Sequence, residues 1–562
     1  MRIVTAAFAL CLTLLVHQSA QAQSPFSIQS AGNIVEEGLA TLWSDIDGDS
    51  DADLLIVNVS GQHTLFRNDG SGGLNPEAFV LPTQNVGDGV FADLDGDGDR
   101  DLVLGSLDQS GYYVKDASGY TAGLVPGLTD RTGVRSVNPV DANGDGRLDL
   151  FVSRRGTQGN YLLTQTVDGS WEVSFTEPSE NAGSTNQTCW SDADLDGDLD
   201  AFVVNSAGRD NVAYRNDDGD LVEWTVGAEQ SEAVAATSCA WGDVDADGDF
   251  DLFITAVGAP SRLYLNDGTG MLAEAPPSAA PALDGDVISA RWDDIDLDGD
   301  LDLIAVGRFE PLRLYLNEGG VFVASEIAGL NAAPSYRTGA ATFDLDGDGD
   351  LELAVGAGFN GSYEPSVVYR NDLAGAPNWI GVRLVSSTTA NTDGIGARIT
   401  VYSDLAGDPV VQLREILAHS SRLGQSDMTA MFGLGANGKA DSVRVDWPSG
   451  SVSTVYPETQ SQVLVVEDPT AVSGEPVPGR AFAVSVRPNP SGGDAVGVVT
   501  LDVAGEVALA LFDALGREVW SQVLRAPAGA VEVRLPQLAT GTYVFRARTD
   551  RQTATRLLTV VR

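Results

Sequence analysis

The stretch Asp93-Leu94-Asp95-Gly96-Asp97-Gly98-Asp99-Arg100-Asp101 decides how the rest of the chain is read. Six related nine-residue phrases open at Asp45, Asp141, Asp192, Asp243, Asp294 and Asp344. Successive openings lie 48, 48, 51, 51, 51 and 50 residues apart. Such a period marks tandem structural units, each burying a face against the next.

The residues around each phrase repeat as well. In five units an aromatic stands two residues ahead of the first Asp: Trp43, Phe91, Trp190, Trp241 and Trp292. Behind the phrase runs a dense apolar segment such as Leu54-Leu55-Ile56-Val57 or Leu252-Phe253-Ile254-Thr255, the pattern of a strand buried on both faces. An alternating strand follows and closes on a turn, as in Leu263-Tyr264-Leu265-Asn266-Asp267-Gly268. Asn-Asp-Gly suits the positive backbone angle of a tight hairpin. A weaker fourth strand ends the unit. Four strands in about fifty residues predict a propeller blade, and the seven units predict an all-β, seven-bladed β-propeller. The seventh unit has no fourth strand of its own after Tyr369-Arg370-Asn371-Asp372, so Phe26-Ser27-Ile28 is expected to complete it and close the ring.

The phrase itself predicts a cation. Asp at positions 1, 3 and 5, Gly at 6 and a carboxylate at 9 is the ligand spacing of an oxygen-rich calcium loop, with the position-7 carbonyl as a further ligand. The candidate side-chain ligands are Asp45, Asp47, Asp49 and Asp53; Asp93, Asp95, Asp97 and Asp101; Asp141, Asn143, Asp145 and Asp149; Asp192, Asp194, Asp196 and Asp200; Asp243, Asp245, Asp247 and Asp251; Asp294, Asp296, Asp298 and Asp302; and Asp344, Asp346, Asp348 and Glu352. Two carboxylates about 4 Å apart repel by about 4 kcal/mol at an effective dielectric of about 20, so four cannot converge without a counter-ion or protons. Hard oxygen ligands without Cys or His favour Ca2+. Asn143 lowers the ligand charge of the third phrase, and Ser50 replaces the position-6 Gly of the first. The second, fourth, fifth and sixth phrases therefore rank strongest and the third weakest. Up to seven Ca2+ ions are expected, mainly structural. An Asp-rich turn held by side-chain-to-backbone bonds is the alternative for any single copy.

The chain of 562 residues has 80 acidic and 33 basic residues, a net charge of -47. That charge argues against nucleic-acid and anionic-membrane partners. Arg2, the apolar residues 3–16 and Ala20-Gln21-Ala22 read as a secretory signal over residues 1–22. No later run is long enough to span a membrane as a helix, so an exported product without a transmembrane segment is expected. Beyond Cys11 there remain Cys189 and Cys239, fifty residues apart in neighbouring units. A disulfide is open to them in an oxidising compartment. Their offsets from the phrase differ by one, however, which reads as side chains on opposite strand faces and favours two small buried residues. His63 and His419 lie in no nucleophile context, so no catalytic residue is assigned and no enzyme activity is expected.

The expected organisation is a propeller over residues 23–375, a second β domain over 376–467, a linker over 468–481 containing Pro469, Pro476 and Pro478, and a third β domain over 482–562. Strands are expected at 379–385, 397–402, 410–417, 442–447 and 462–466 in the second domain. In the third they are expected at 495–503, 507–512, 519–524, 531–535, 542–548 and 556–561. Both read as small β-sandwich-like domains.

With its seven phased Asp-x-Asp-x-Asp-Gly-x-x-Asp copies, residues 31–375 resemble the FG-GAP/VCBS repeats of integrin α-subunit propellers and their bacterial relatives. The second domain resembles the ASPIC/UnbV module through Asn391-Thr392-Asp393-Gly394-Ile395-Gly396-Ala397, Gln425-Ser426, Phe432-Gly433-Leu434-Gly435 and Trp447-Pro448-Ser449-Gly450. The combination is similar to the cartilage acidic protein family, secreted calcium-binding proteins whose biochemical activity the resemblance does not define. The third domain resembles the C-terminal sorting domain of type IX secretion, through Arg487-Pro488-Asn489-Pro490, Asp513-Ala514-Leu515-Gly516-Arg517 and Gly541-Thr542-Tyr543. That resemblance implies recognition by the type IX secretion machinery and a product released or attached at the outer-membrane surface. The implied function is a binding or adhesion protein with a surface glycan or protein ligand. A calcium-dependent lectin and a polysaccharide-degrading enzyme on a propeller scaffold are the alternatives.

Overall fold

The structure, a computed structural model, describes residues 26–28 and 38–560, apart from 50, 60, 157–158, 178–183, 207–208, 218, 228–234, 282, 326–335, 359–365, 372–377, 387–390, 406–407, 420, 436–437, 470–481, 488–495, 502–504, 514–516, 527–528, 537, 539–540 and 549–552. The expected signal segment, most of the linker, Ser50 and much of the sorting motifs lie outside the described residues. Every regular element among the described residues is a β-strand.

Seven antiparallel sheets form the blades. Blade two is representative, with Val86–Ala92, Asp101–Ser106, Gly111–Asp116 and Gly119–Ala122 in sequence order. Burial falls along that order: the first two strands are buried almost throughout, whereas Gly119–Ala122 has no buried residue. That gradient is why the second strands read as unbroken apolar runs. In the seventh blade, Arg337–Phe343, Glu352–Ala357 and Val367–Asn371 are joined by Phe26–Ile28, which pairs Phe26 with Asn371 and Ile28 with Tyr369. The ring therefore closes by the pairing expected from the sequence.

The aromatics ahead of the phrases wedge between neighbouring blades. Trp190 meets Phe151 of the preceding blade edge-on with ring centres 5.4 Å apart, and Trp292 meets Phe253 at 5.8 Å. The same geometry corrects the cysteine reading: Cys189 and Cys239 form a disulfide, with their Cα atoms 6.1 Å apart. Blades stack face to face, so one residue must point forward and its partner backward. Cys239 shares the backward parity of Trp241, whereas Cys189 has the opposite parity and points forward. An offset of one is what the bridge requires. In the loop-closure picture a bridge across 50 residues stabilises by about 4 kcal/mol.

The second domain packs the sheet of Thr429–Gly433, Trp379–Val385 and Gln462–Glu467 with that of Asp408–Glu415, Arg398–Leu405, Lys439–Asp446 and Val452–Val455. It shares one apolar core with blades two and three, in which Val90, Val103 and Leu150 join Ile380, Val382 and Phe432. The third domain has a three-stranded and a four-stranded sheet around Val507, Leu509, Leu511 and Phe545.

One element of the second domain was not foreseen. Residues 418–419 and 421–427 belong to a finger that enters the propeller channel. Gly424–Gln425 adds a parallel strand to Ala40–Ser44 of blade one. Gln425 donates to the Phe91 carbonyl (2.8 Å) and accepts from its N–H (2.7 Å) in blade two. Ser421 donates to the Ala340 carbonyl at 2.7 Å, and the Ser426 hydroxyl accepts the Thr342 N–H at 2.9 Å, both in blade seven. Gly424 is required because a Cβ there would collide with the Ala340 carbonyl. Replacing Gln425 by Leu strands two buried main-chain groups, so Gln425→Leu is expected to lower stability by about 2–4 kcal/mol in chemical denaturation. An unchanged midpoint would mean that the finger does not hold the ring.

Candidate metal centres

Each acidic phrase is a turn between the first and second strands of a blade, and all seven lie on one face of the ring. The backbone turns left-handed at two places. Position 6 is a positive-φ glycine in six phrases, as at Gly98 (φ 95) and Gly299 (φ 110). Position 4 is left-handed too, and three copies place Leu195, Ala246 and Leu297 there, at φ 61, 59 and 57. A non-glycine residue in this region costs about 1–2 kcal/mol, so something holds these loops in shape.

Position-1 carboxylates accept the N–H groups of the tight turn: Asp93 takes Gly96 (2.8 Å) and Gly98 (2.9 Å), and Asp344 takes Gly347 (2.9 Å) and Gly349 (3.0 Å). In all seven phrases the position-9 carboxylate accepts the N–H of position 2, at 2.7 to 3.4 Å. In the six Asp copies its other oxygen takes a main-chain N–H from the third strand, at 2.8 to 2.9 Å. Position 9 thus braces the blade as well as facing the loop.

In five phrases the structure brings three candidate carboxylates together, with Asp302 rather than Asp298 completing the set of the sixth phrase. Carboxylate oxygens lie within 4.8 Å of one another in Asp45-Asp47-Asp49, Asp93-Asp95-Asp97, Asp192-Asp194-Asp196, Asp243-Asp245-Asp247 and Asp294-Asp296-Asp302. Burial raises Asp192 to about 6, Asp243 and Asp294 to about 7, and Asp200 and Asp251 to about 8; Glu352 rises to about 9. Neighbouring carboxylates add to each rise. Buried oxygens of Asp194, Asp243, Asp294, Asp296, Asp346 and Glu352 have no hydrogen-bond partner. Such orphaned acceptors cost free energy unless a cation meets them, so these loops fit a hard divalent ion. A Ca2+ ion held by these carboxylates would neutralise the converging charge and fix the turn.

These orphaned oxygens fall in phrases four to seven. In the third phrase Arg147, at position 7, ion-pairs with Asp145, so the loop carries its own cation as well as Asn143. In the second, Asp93 is engaged by the Thr392 hydroxyl of the second domain at 2.8 Å.

Two features escaped the sequence reading. The Asn ahead of Asp-Gly does more than turn the hairpin. Side-chain amides of Asn68, Gln165, Asn216, Asn266, Asn317 and Asn371 donate at 2.8 to 3.2 Å to the position-2 carbonyl in the preceding blade's acidic loop. Lys115 stands at that place in blade two. The amide recurs at the end of the third strand, a signal legible in the repeat alignment. The second domain also covers the acidic face: Arg398 pairs with Asp192 (2.8 Å), the Gly433 N–H reaches Asp294 (2.7 Å), and Arg100, at position 8 of the second phrase, pairs with Asp393 (2.7 Å). Between loops and domain lies a cavity of about 910 Å³, lined among others by Asp97, Asp344, Trp241, Arg383 and Asp393.

The FG-GAP-like repeat family matches residues 45–104, 93–152, 192–254, 243–305 and 294–355, and the ASPIC and UnbV family matches 387–473. Cartilage acidic protein 1 of Mus musculus is 24% identical over 475 residues, covering 75% of this chain and 72% of that protein. The Homo sapiens protein is 24% identical over 459 residues, covering 73% and 68%. The solved structure of BBS1N in complex with ARL6DN aligns over 63% of this chain and 100% of that one, at 13% identity and a TM-score of 0.42.

Two outcomes are expected. Without metal, carboxylates whose folded pKa lies above the unfolded value stabilise at low pH, and this contribution is lost as pH rises through about 6 to 8. In EDTA the melting temperature should therefore fall between pH 5 and pH 8, and calcium should remove most of that fall; equal slopes with and without calcium would contradict the site. Asn266→Ala leaves the Ala193 carbonyl unpaired and should cost about 1–3 kcal/mol, read by denaturant titration.

Proposed function

Because the chain is an FG-GAP-repeat protein with an ASPIC and UnbV domain, homologous to cartilage acidic protein 1, we propose that it is an exported calcium-loaded propeller acting as a binding or adhesion module. The observation that carries the reading is the set of orphaned buried carboxylate oxygens in four consecutive loops. The proposed ligands are the residues assigned above, with calcium mainly structural. With free calcium at 10 to 100 times Kd, each site adds about 1.4–2.7 kcal/mol to the folded state.

Recognition then belongs to other surfaces, and the partner is a surface glycan or a protein. We assign no catalytic role to the described histidines. His63 accepts the Asn58 N–H through Nδ1 at 3.0 Å, and burial holds it down to about 4. His419 is buried in the channel 3.5 Å from Asp88. We assign residues 1–22 to export and the domain beginning at 482 to type IX sorting, on their sequence resemblance alone. Among the described residues no helix is long and apolar enough to cross a membrane.

A glycan array probed in calcium and again in EDTA tests this reading. Calcium-dependent retention without product is the expected result for glycan recognition. Product release would replace it with an enzyme, and failure to retain any glycan or protein partner would remove the binding role.

A further inference from the structure

The end of the channel opposite the acidic loops carries an unexpected charge. In a chain with 80 acidic and 33 basic residues, several arginines converge there. Arg135 lies on the first strand of blade three, Val134–Val140, and one of its guanidinium nitrogens donates to the Asn186 side-chain oxygen, which leaves the others to a ligand. Arg155 follows the second strand of that blade, and its N–H bonds the Gly133 carbonyl at 2.8 Å. Arg308 follows Asp302–Gly307 of blade six. Arg422 stands at the tip of the finger, and its carbonyl accepts the Ser289 hydroxyl at 3.2 Å. The second domain thus delivers a guanidinium through the ring to its far side.

None of these four has a carboxylate at ion-pair distance among the described residues. Asp88 faces Arg422 but lies 3.5 Å from His419. Burial, then the like charges of Arg422 and Arg155, hold Arg135 down to about 10. Burial lowers Arg422, with Tyr336 and Asp88 opposing the shift and Arg308 adding to it. Asp88, shared with His419, is the carboxylate that faces this cluster, so a second anion would find arginine charge still to meet. An aromatic shelf adjoins the charge. Arg308 lies 5.5 Å from the Phe309 ring and 5.3 Å from the Tyr336 ring, the two rings meet edge-on at 5.2 Å, and Phe309 is 51% exposed.

We propose that this channel mouth binds a carboxylate-bearing sugar, the terminal uronate of an acidic glycan, with Arg135, Arg308 and Arg422 on the carboxylate and Phe309 against the sugar ring. The proposal rests on the binding-module reading and names its ligand class. Planar guanidinium forks match a carboxylate in two parallel bonds. An exposed aromatic offers the apolar face that a pyranose stacks on. The acidic loops do not repel the ligand: first strands of about seven residues separate the two faces by about 20 Å, well beyond the Debye length of about 8 Å at physiological salt.

The test uses the full calcium-loaded chain, titrated by calorimetry with a glucuronate-terminated disaccharide and with its uncharged methyl ester. The acid should bind at least about tenfold tighter than the ester, and Arg308→Ala or Arg422→Ala should each weaken it about tenfold. Phe309→Ala should weaken it several-fold, and Arg262→Ala, on the rim of blade five, should leave it unchanged. Melting temperatures confirm that each variant folds, and Arg308 lies outside the finger should Arg422→Ala disturb it. Equal affinity for acid and ester, or wild-type affinity in both arginine variants, overturns the proposal. Competition by acetate as effective as by unlabelled disaccharide removes the sugar from it. Capture of neutral glycans or proteins without uronate binding overturns this inference and leaves the binding module standing; capture of nothing removes both.

Discussion

Carboxylates forced together on one face of a ring are the constraint on which the rest of the structure depends. Each blade must return its chain from the channel strand to the second strand within nine residues. It does so with acids at alternate positions and a backbone turned left-handed twice. Position 9 ties the turn to its own blade through two main-chain N–H groups. The amide at the end of the third strand ties the neighbouring turn to the next blade. Charge, backbone shape and blade-to-blade contact therefore share the same residues. A loop that loses its counter-charge loosens two blades at once.

The second domain answers the same constraint from outside the ring. It places Thr392, Arg398 and the Gly433 N–H against the position-1 carboxylates of phrases two, four and six. Its finger then bonds to blades one, two and seven along the channel. A propeller closed only by the short strand Phe26–Ile28 would rest on one weak seam. The finger and the shared apolar core spread that load over several blades. The module is better described as the ring's lid and axle than as a separate appendage.

The fold was largely legible because the period was. A fifty-residue repeat, apolar second strands and Asn-Asp-Gly turns define blades without any long-range information, and the missing fourth strand pointed to the N-terminal segment. What remained hidden depends on spatial relations that no local pattern carries. The disulfide was misread because opposite strand faces look incompatible in one sheet but are complementary between stacked sheets. Gly424-Gln425 has no strand signature, since its pairing partner is the channel wall. The latch role of Asn68 and its equivalents was masked by their evident suitability for a turn. In the acidic loops the ligand positions were plain, but not the arginine at position 7 of the third phrase as an internal counter-ion.

The most direct test of the calcium account is anomalous diffraction from crystals grown in calcium. The account predicts anomalous peaks inside the loops of phrases four to seven, coordinated by their position 1, 3, 5 and 9 side chains, and the weakest density in phrase three. Well-ordered loops with no anomalous peak in any of the seven phrases would contradict it.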